Sequence, residues 1–330
     1  MADMRDFLLS YDNVCLRPKF SKLESRGDAD TSIEFCGKVF KLPVVPANMI
    51  DVISAENARW LSNNNFFYIY HRFGDYNTIH KPTYSFVEIA NQENWRCISI
   101  SVGIKDEDKY VLSDIKEAEL RLDFITIDVA HAHHENIKSM IDFVRFHFPK
   151  TKLIVGNVAT SEGVGFLADL KVDAIKVGIG GGSICTTRYM TGFHLPTLQS
   201  VREAEMILTG TLGKDYSHIP IIADGGAIHY GDVAKALVFG ATMVMSGGWF
   251  ASCLDSPAKI VNGKKLYRGS TSYEAKGERK HVEGRQIELT EGLTYPERME
   301  EIKQALQSSI SYAGGKDLKA FQFVDWDIIH

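Results

Sequence analysis

A cysteine placed directly behind a run of glycines, at the end of an apolar segment, is the pattern in this chain that points most directly to covalent chemistry. Residues 177–188 read VGIGGGSICTTR, so that Gly180, Gly181 and Gly182 lead into Ser183, Cys185, Thr186, Thr187 and Arg188. Glycine allows a backbone to approach a ligand closely. The amides and carbonyls freed by such a loop can cradle a phosphate or a bare cation, and the Ser183 hydroxyl adds a phosphate donor. A thiol among backbone donors is favoured as thiolate, the form that attacks carbon. Taken alone, the segment reads equally well as a flexible turn with a buried free cysteine.

Two further glycine segments make a phosphorylated ligand the better reading. DGGAIHYGD begins at Asp224, and SGG spans Ser246 to Gly248. Both follow late apolar runs, where Gly225, Gly226, Gly247 and Gly248 stand in the places at which barrel enzymes hold phosphate; the alternative is that they serve tight turns. HAHHE, residues 131–135, puts imidazoles and a carboxylate at short spacing, but the other loops offer no further ligand and a polar helix start explains the run. Phe66, Phe67, Tyr68, Trp249 and Phe250 read as core packing. KGERKH, residues 276–281, is a solvated face unless it lies over an anionic site, where it would meet a dinucleotide phosphate.

The elements that must position these residues are legible as a rhythm. Eight short apolar runs, centred near Val44, Tyr68, Ser99, Ile127, Val155, Val177, Ile222 and Met245, alternate with helix-length intervals. Parallel strands joined by crossover helices produce this alternation, and eight strands close a barrel. SEGVGFLADLKV and YGDVAKALVFG have polar starts and helical apolar spacing. The expected fold is an α/β, (β/α)8 barrel, a single unit over residues 1–330, with a charged N-terminal extension before the first strand. YRGSTSYEAKGERKHVEGRQIELTEG, after the eighth strand, is expected to be an active-site flap, followed by the helical PERMEEIKQALQSSIS. In such barrels the chemistry sits where strands end, which is where the glycine loops fall.

Composition narrows the class further. The chain has 330 residues, 45% of them hydrophobic and 24% charged, an ordinary globular balance. A net charge of −5 gives no support to a nucleic-acid or membrane partner. The N-terminal MADMRDFLLSYDN lacks the plan of a signal peptide. Five unpaired-looking cysteines, Cys15, Cys36, Cys97, Cys185 and Cys253, suit reduced thiols and a cytoplasmic location.

GIGGGSICTTR, together with NVCLRPK at 13–19, PANM at 46–49, GDVAKAL at 231–237 and QSSISYAGGKDL at 307–318, resembles the IMP dehydrogenase and GMP reductase superfamily, from about Tyr11 to about Leu318. The dehydrogenase branch carries inserted regulatory modules after the second strand and an Arg-Tyr pair in the flap. This chain has neither, and Thr186, Thr187 and SYAGGKDL look like the reductase branch of bacterial type. The resemblance implies NADPH-dependent reductive deamination of GMP to IMP and ammonia through a covalent thioimidate on Cys185. By the same resemblance, Thr187 and Glu283 handle the proton of the departing ammonia. It places GMP at Ser183, Asp224, Gly225, Gly226, Gly247, Gly248, Gly269, Ser270, Thr271 and Gly284. It places NADPH at Ser25, Arg26, Arg72, Asp128, Val129, Ala130, Ser311, Tyr312, Ala313 and Gly314, some of them supplied by a neighbouring subunit of a homotetramer. A monovalent cation, expected to be potassium, is implied at Gly180, Gly182, Cys185 and Arg188. Two departures stand out. Gly181 replaces the proline of the family's Gly-Pro-Gly step, and Lys280 stands where some members have an arginine, whose bidentate contact a lysine cannot repeat.

Overall fold

The computed structural model describes residues 8–73, 82–210, 215–273, 282–290 and 292–329. Three short strands precede the barrel: β1 (Val14–Leu16), β2 (Ile33–Phe35) and β3 (Lys38–Phe40). The barrel strands are β4 (Val44–Pro46), β5 (Ser99–Val102), β6 (Phe124–Asp128), β7 (Lys152–Val158), β8 (Ala174–Val177), β9 (Ile221–Asp224) and β10 (Met243–Ser246). They form one parallel sheet in the order β4-β10-β9-β8-β7-β6-β5. Nearly every residue in them is buried, as continuous apolar runs covered on both faces require.

The expected second strand, FFYIYHR, is reduced to one parallel bridge between Tyr70 and Ile100. Its backbone still enters the gap between β4 and β5: Tyr70 N–H donates to the Ser99 carbonyl (3.0 Å), and Ser101 N–H donates to the Tyr70 carbonyl (2.8 Å). Side-chain anchoring dominates the path of this segment. Phe67 joins an aromatic cluster, the Tyr68 hydroxyl donates to the Cys97 carbonyl (2.8 Å), and Tyr70 stacks on Phe86 at 3.8 Å. Seven laddered strands and this bridged segment build a curled sheet of the (β/α)8 type.

The extension closes the N-terminal end of the strands. β2 and β3 form a hairpin whose turn, Cys36–Gly37, has positive φ at both residues, the backbone twist that two-residue hairpins favour. It delivers Phe35 and Phe40 onto Phe67 and Phe124, with ring centroids 5.0–6.5 Å apart. β1 pairs antiparallel with the final strand, whose range is Trp326–Ile328, tying the two chain ends together. The sequence expectation for helices is met at Ser161–Asp169, Gly231–Val238 and Tyr295–Tyr312. The last begins with a reciprocal Thr294–Glu297 capping box.

The expected flap is more ordered at its two ends than its composition suggests. β11 (Ile260–Val261), β12 (Lys264–Arg268) and β13 (Gln286–Thr290) make an antiparallel sheet. Asn262 and Gly263, both at positive φ, turn β11 into β12. Asn-Gly between extended runs, and the alternating QIELT of β13, are hairpin and strand signals that polar composition hides. β12 is anchored to the barrel through Arg268. Its backbone N–H (2.9 Å) and Nε (2.8 Å) donate to the Asp51 carboxylate, which is almost completely buried. KGERKH and Lys280 lie outside the described residues.

Candidate active site

A cavity of about 900 Å³ opens where the barrel strands end. A second cavity, of about 550 Å³, lies at the opposite, starting ends of the strands beside Cys36, Lys152 and Asp173, away from every glycine loop.

The cysteine loop leaves β8 through Gly178, at φ 141°. A methyl group there would sit 2.1 Å from the Asp224 carbonyl oxygen, so the loop runs directly against the end of β9 and only glycine fits. The loop then meets the flap. Cys185 and Gly284 form an antiparallel bridge; Thr186 N–H donates to the Glu283 carbonyl (2.9 Å) and Arg285 N–H to the Ile184 carbonyl (2.9 Å). The Arg285 side chain adds two bonds to the Ser183 carbonyl, at 3.1 and 2.8 Å. Behind this strip, Glu283 N–H bonds to Thr271 O (3.2 Å) and Gly269 N–H to Arg285 O (3.0 Å).

These backbone contacts bring three reactive side chains into line. The Cys185 thiol donates to Thr187 Oγ1 at 3.2 Å, and the Thr187 hydroxyl donates to Glu283 Oε2 at 2.6 Å. A thiol, a hydroxyl and a carboxylate arranged donor to acceptor in one direction form a path along which the thiol proton can leave.

All the expected substrate and cation residues line this cavity. Ser183, Asp224, Gly225, Gly226, Gly247, Gly248, Gly269, Ser270, Thr271, Glu283 and Gly284 line it, as do Gly180, Gly182, Cys185 and Arg188. Gly182 accepts the Cys185 N–H (3.1 Å), so the glycine loop is tightly folded. Sequence reasoning missed several wall residues. The Tyr267 hydroxyl fills the space beside Gly247, where a β-carbon would lie 1.8 Å from it. Tyr11 and Thr197 carry buried hydroxyl oxygens with no hydrogen-bond partner among the described residues. Burial, followed by the charges of Asp232 and Asp224, pushes the Tyr11 phenol up. Arg298, from the C-terminal helix, also reaches the wall, through a pattern that reads in sequence as ordinary amphipathic helix.

The expected cofactor residues fall in two other places, neither on the cavity wall. One is a surface patch: Ser25 caps a 3-10 turn at Arg26–Asp28, the Arg26 guanidinium lies 5.3 Å above the Tyr312 ring, and Ser311 Oγ is 3.2 Å from Ser21 Oγ. Ala313 and Gly314 end the adjoining helix, with Gly314 at φ 78°. The other group is at the end of β6. Asp128 accepts from Asn48 Nδ2 (3.0 Å) and Lys176 Nζ (2.6 Å), Val129 exchanges backbone bonds with Gly156 and Asn157, and Ala130 follows. Burial alone would raise the Asp128 carboxyl; the Lys176 ammonium, the Asn48 donor and the Arg72 charge hold it below the ordinary carboxylate range.

Among the described residues, no group of three or more His, Cys, Asp or Glu side chains is placed to hold a metal ion, and no helix is long and apolar enough to cross a membrane. His131 and His133 have ring centroids 6.2 Å apart, and His133 packs on Phe166.

Fold and site together define a class: a barrel enzyme with a cysteine loop and a flap meeting over a glycine-walled cavity. Residues 8–324 match the IMP dehydrogenase / GMP reductase domain, and the chain belongs to that family. It is 40% identical to a GMP reductase of Staphylococcus epidermidis over 326 residues, covering 98% of this chain and 96% of that protein. It is likewise 40% identical to a GMP reductase of Oenococcus oeni over 327 residues (98% and 97%), and 41% identical to one of Leptothrix cholodnii over 329 residues (98% and 96%).

Proposed function

We propose that this chain reduces GMP to IMP, releasing ammonia, with NADPH as reductant and Cys185 as covalent nucleophile. The observation that carries the mechanism is the aligned contact from Cys185 through Thr187 to Glu283. Proton shift along it leaves a thiolate at Cys185 and a proton on the Thr187–Glu283 pair. The thiolate adds to C2 of the guanine ring. The pair returns its proton to the 2-amino group, which otherwise leaves poorly, and ammonia departs as the ring remains bound to sulfur as a thioimidate. When bound, NADPH supplies the hydride that C2 accepts. The C2–S bond then breaks, sulfur departs as thiolate, and IMP is released. The balance is GMP, NADPH and two protons in; IMP, ammonium and NADP⁺ out.

The chain's own residues account for binding and orientation. The glycine walls at Gly225, Gly226, Gly247 and Gly248, with Ser183 and Tyr267, suit a phosphate, and the unpartnered Tyr11 and Thr197 hydroxyls suit a polar ligand. Asp128 and Arg72 would hold the nicotinamide half of NADPH. Ser25, Arg26 and Ser311 to Gly314, remote from the cavity wall of their own chain, fit the role of reaching the cofactor of a neighbouring copy in a homotetramer. Backbone oxygens at Gly180, Gly182 and Cys185 are donors of the hard, uncharged kind that suits a potassium ion, whose task would be to fix the loop that carries the thiol. A cytoplasmic place in purine nucleotide salvage accords with this reading.

Purified protein in potassium buffer, given GMP and NADPH, is expected to lose NADPH absorbance in step with IMP and ammonia. Cys185→Ala should lower that rate by roughly a thousandfold or more. Substantial GMP reduction by Cys185→Ala refutes the covalent mechanism, and NADH appearing from IMP and NAD⁺ instead reassigns the chain to the dehydrogenase branch.

A further inference from the structure

A lysine in the middle of a barrel strand is costly to bury, yet Lys176 on β8 is only 2% exposed. Its ammonium lies 2.6 Å from Asp128 Oδ1 and 3.2 Å from Asp224 Oδ2, and 3.4 Å from Asn48 Oδ1. Each carboxylate has a second anchor: Asn48 Nδ2 donates to Asp128 (3.0 Å), and Asn157 Nδ2 to Asp224 (2.8 Å). The contact spans three barrel strands, β6, β8 and β9, and Gly156 on β7 leaves room for the lysine stem, since a β-carbon there would sit 2.4 Å from Lys176 Cβ. Both carboxylates remain 22% exposed, so each keeps oxygen lone pairs open toward the mouth of the barrel.

One buried cation therefore serves two carboxylates with different clients. Under the function proposed above, on which this step rests, Asp224 faces GMP and Asp128 faces NADPH. Both ligands present vicinal ribose hydroxyls, donors that a fixed carboxylate accepts well. Without a shared cation, two carboxylates at one mouth would repel each other and turn apart. We infer that Lys176 is a positioning residue for both nucleotides, holding Asp128 and Asp224 oriented as paired acceptors for the two riboses. It touches neither reacting atom.

The test is titration calorimetry on the full-length chain. Lys176→Met should weaken GMP and NADPH binding together, each by about tenfold or more, with a smaller loss for 2′-deoxyGMP, which lacks one of the donors. Ethylammonium ion should restore part of both affinities in Lys176→Ala by refilling the site with a cation. If Lys176→Met is not recovered folded, Lys176→Gln, which keeps a donor but no charge, carries the same comparison. Affinities for both nucleotides within twofold of wild type, a loss confined to one of them, or an equal loss for GMP and 2′-deoxyGMP overturns the inference. Turnover is recorded separately: wild type that binds both nucleotides without oxidising NADPH overturns the proposed reaction and leaves the binding comparison decisive for Lys176.

Discussion

The thiol-to-carboxylate path makes a specific claim about how side chains share work. Thr187 stands between sulfur and carboxylate, so neither Thr187 nor Glu283 moves a proton to useful effect without the other. Thr187→Val and Glu283→Gln should each lower kcat by about 10²- to 10⁴-fold. The double variant should be no slower than the worse single one, because groups that act as a unit give non-additive losses. Multiplying losses, read from steady-state kcat in all three variants, would show that the two act separately. The cysteine and its glycine loop were legible in sequence because their types and order are local. Lys176 was not. Within AIKVGIG it reads as one polar residue of a strand, and its meaning comes from Asp128 and Asp224, 48 residues away on either side. Tyr267 is similar: its hydroxyl becomes part of the site only because Gly247 leaves room for it.

At the scale of elements, the site depends on how the flap strands are fastened to the barrel. The cysteine loop is bridged to residues 283–285, these bond back to residues 269–271, and those follow directly on β12. β12 in turn is held by Arg268 on buried Asp51. Asp51→Asn removes the countercharge from a largely buried guanidinium, a change that costs about 3–5 kcal/mol when a buried pair loses one partner. Its effect should spread along the connected strip. The expected result is a lowered unfolding midpoint together with faster amide exchange at Ile184–Thr186, though Asp51 touches none of them. Exchange unchanged there would mean that the cysteine loop holds its position independently of β12. Sequence periodicity placed the parallel strands well because each is a continuous apolar run. It missed the β11–β13 sheet because a half-exposed antiparallel strand carries only a weak alternating signal, and it overstated the second barrel strand because FFYIY is apolar whether or not its backbone joins a ladder.

At the scale of the whole molecule, that second segment is also where global stability gains a pH dependence. His71 follows the single bridge at Tyr70, stacks on the Tyr70 ring at 4.6 Å and is buried. Burial pushes its imidazole down to about 4, against the smaller opposing effects of a backbone hydrogen bond at Phe73 and the Asp51 charge. An unfolded imidazole titrates near 6.5. Between these values the unfolded chain takes up a proton that the native protein refuses, so acid favours unfolding. The stabilisation tied to a neutral His71 is complete above pH 6.5 and is lost as pH falls toward 4. At about 1.4 kcal/mol per pH unit, lowering the pH from 6.5 to 5 should cost about 2 kcal/mol. Asp128, held below the ordinary carboxylate range, loses its contribution only at more acid pH, while His131, whose imidazole is also held down by partial burial and by the neighbouring His133 and His134 charges, adds a loss of the same sign that is common to both proteins compared. Urea midpoints of wild type and His71→Gln at pH 7 and pH 5 separate the two cases. The wild type should lose stability over that interval and the variant should lose about 2 kcal/mol less; equal losses would assign the acid sensitivity to other groups and leave His71 a packing residue only.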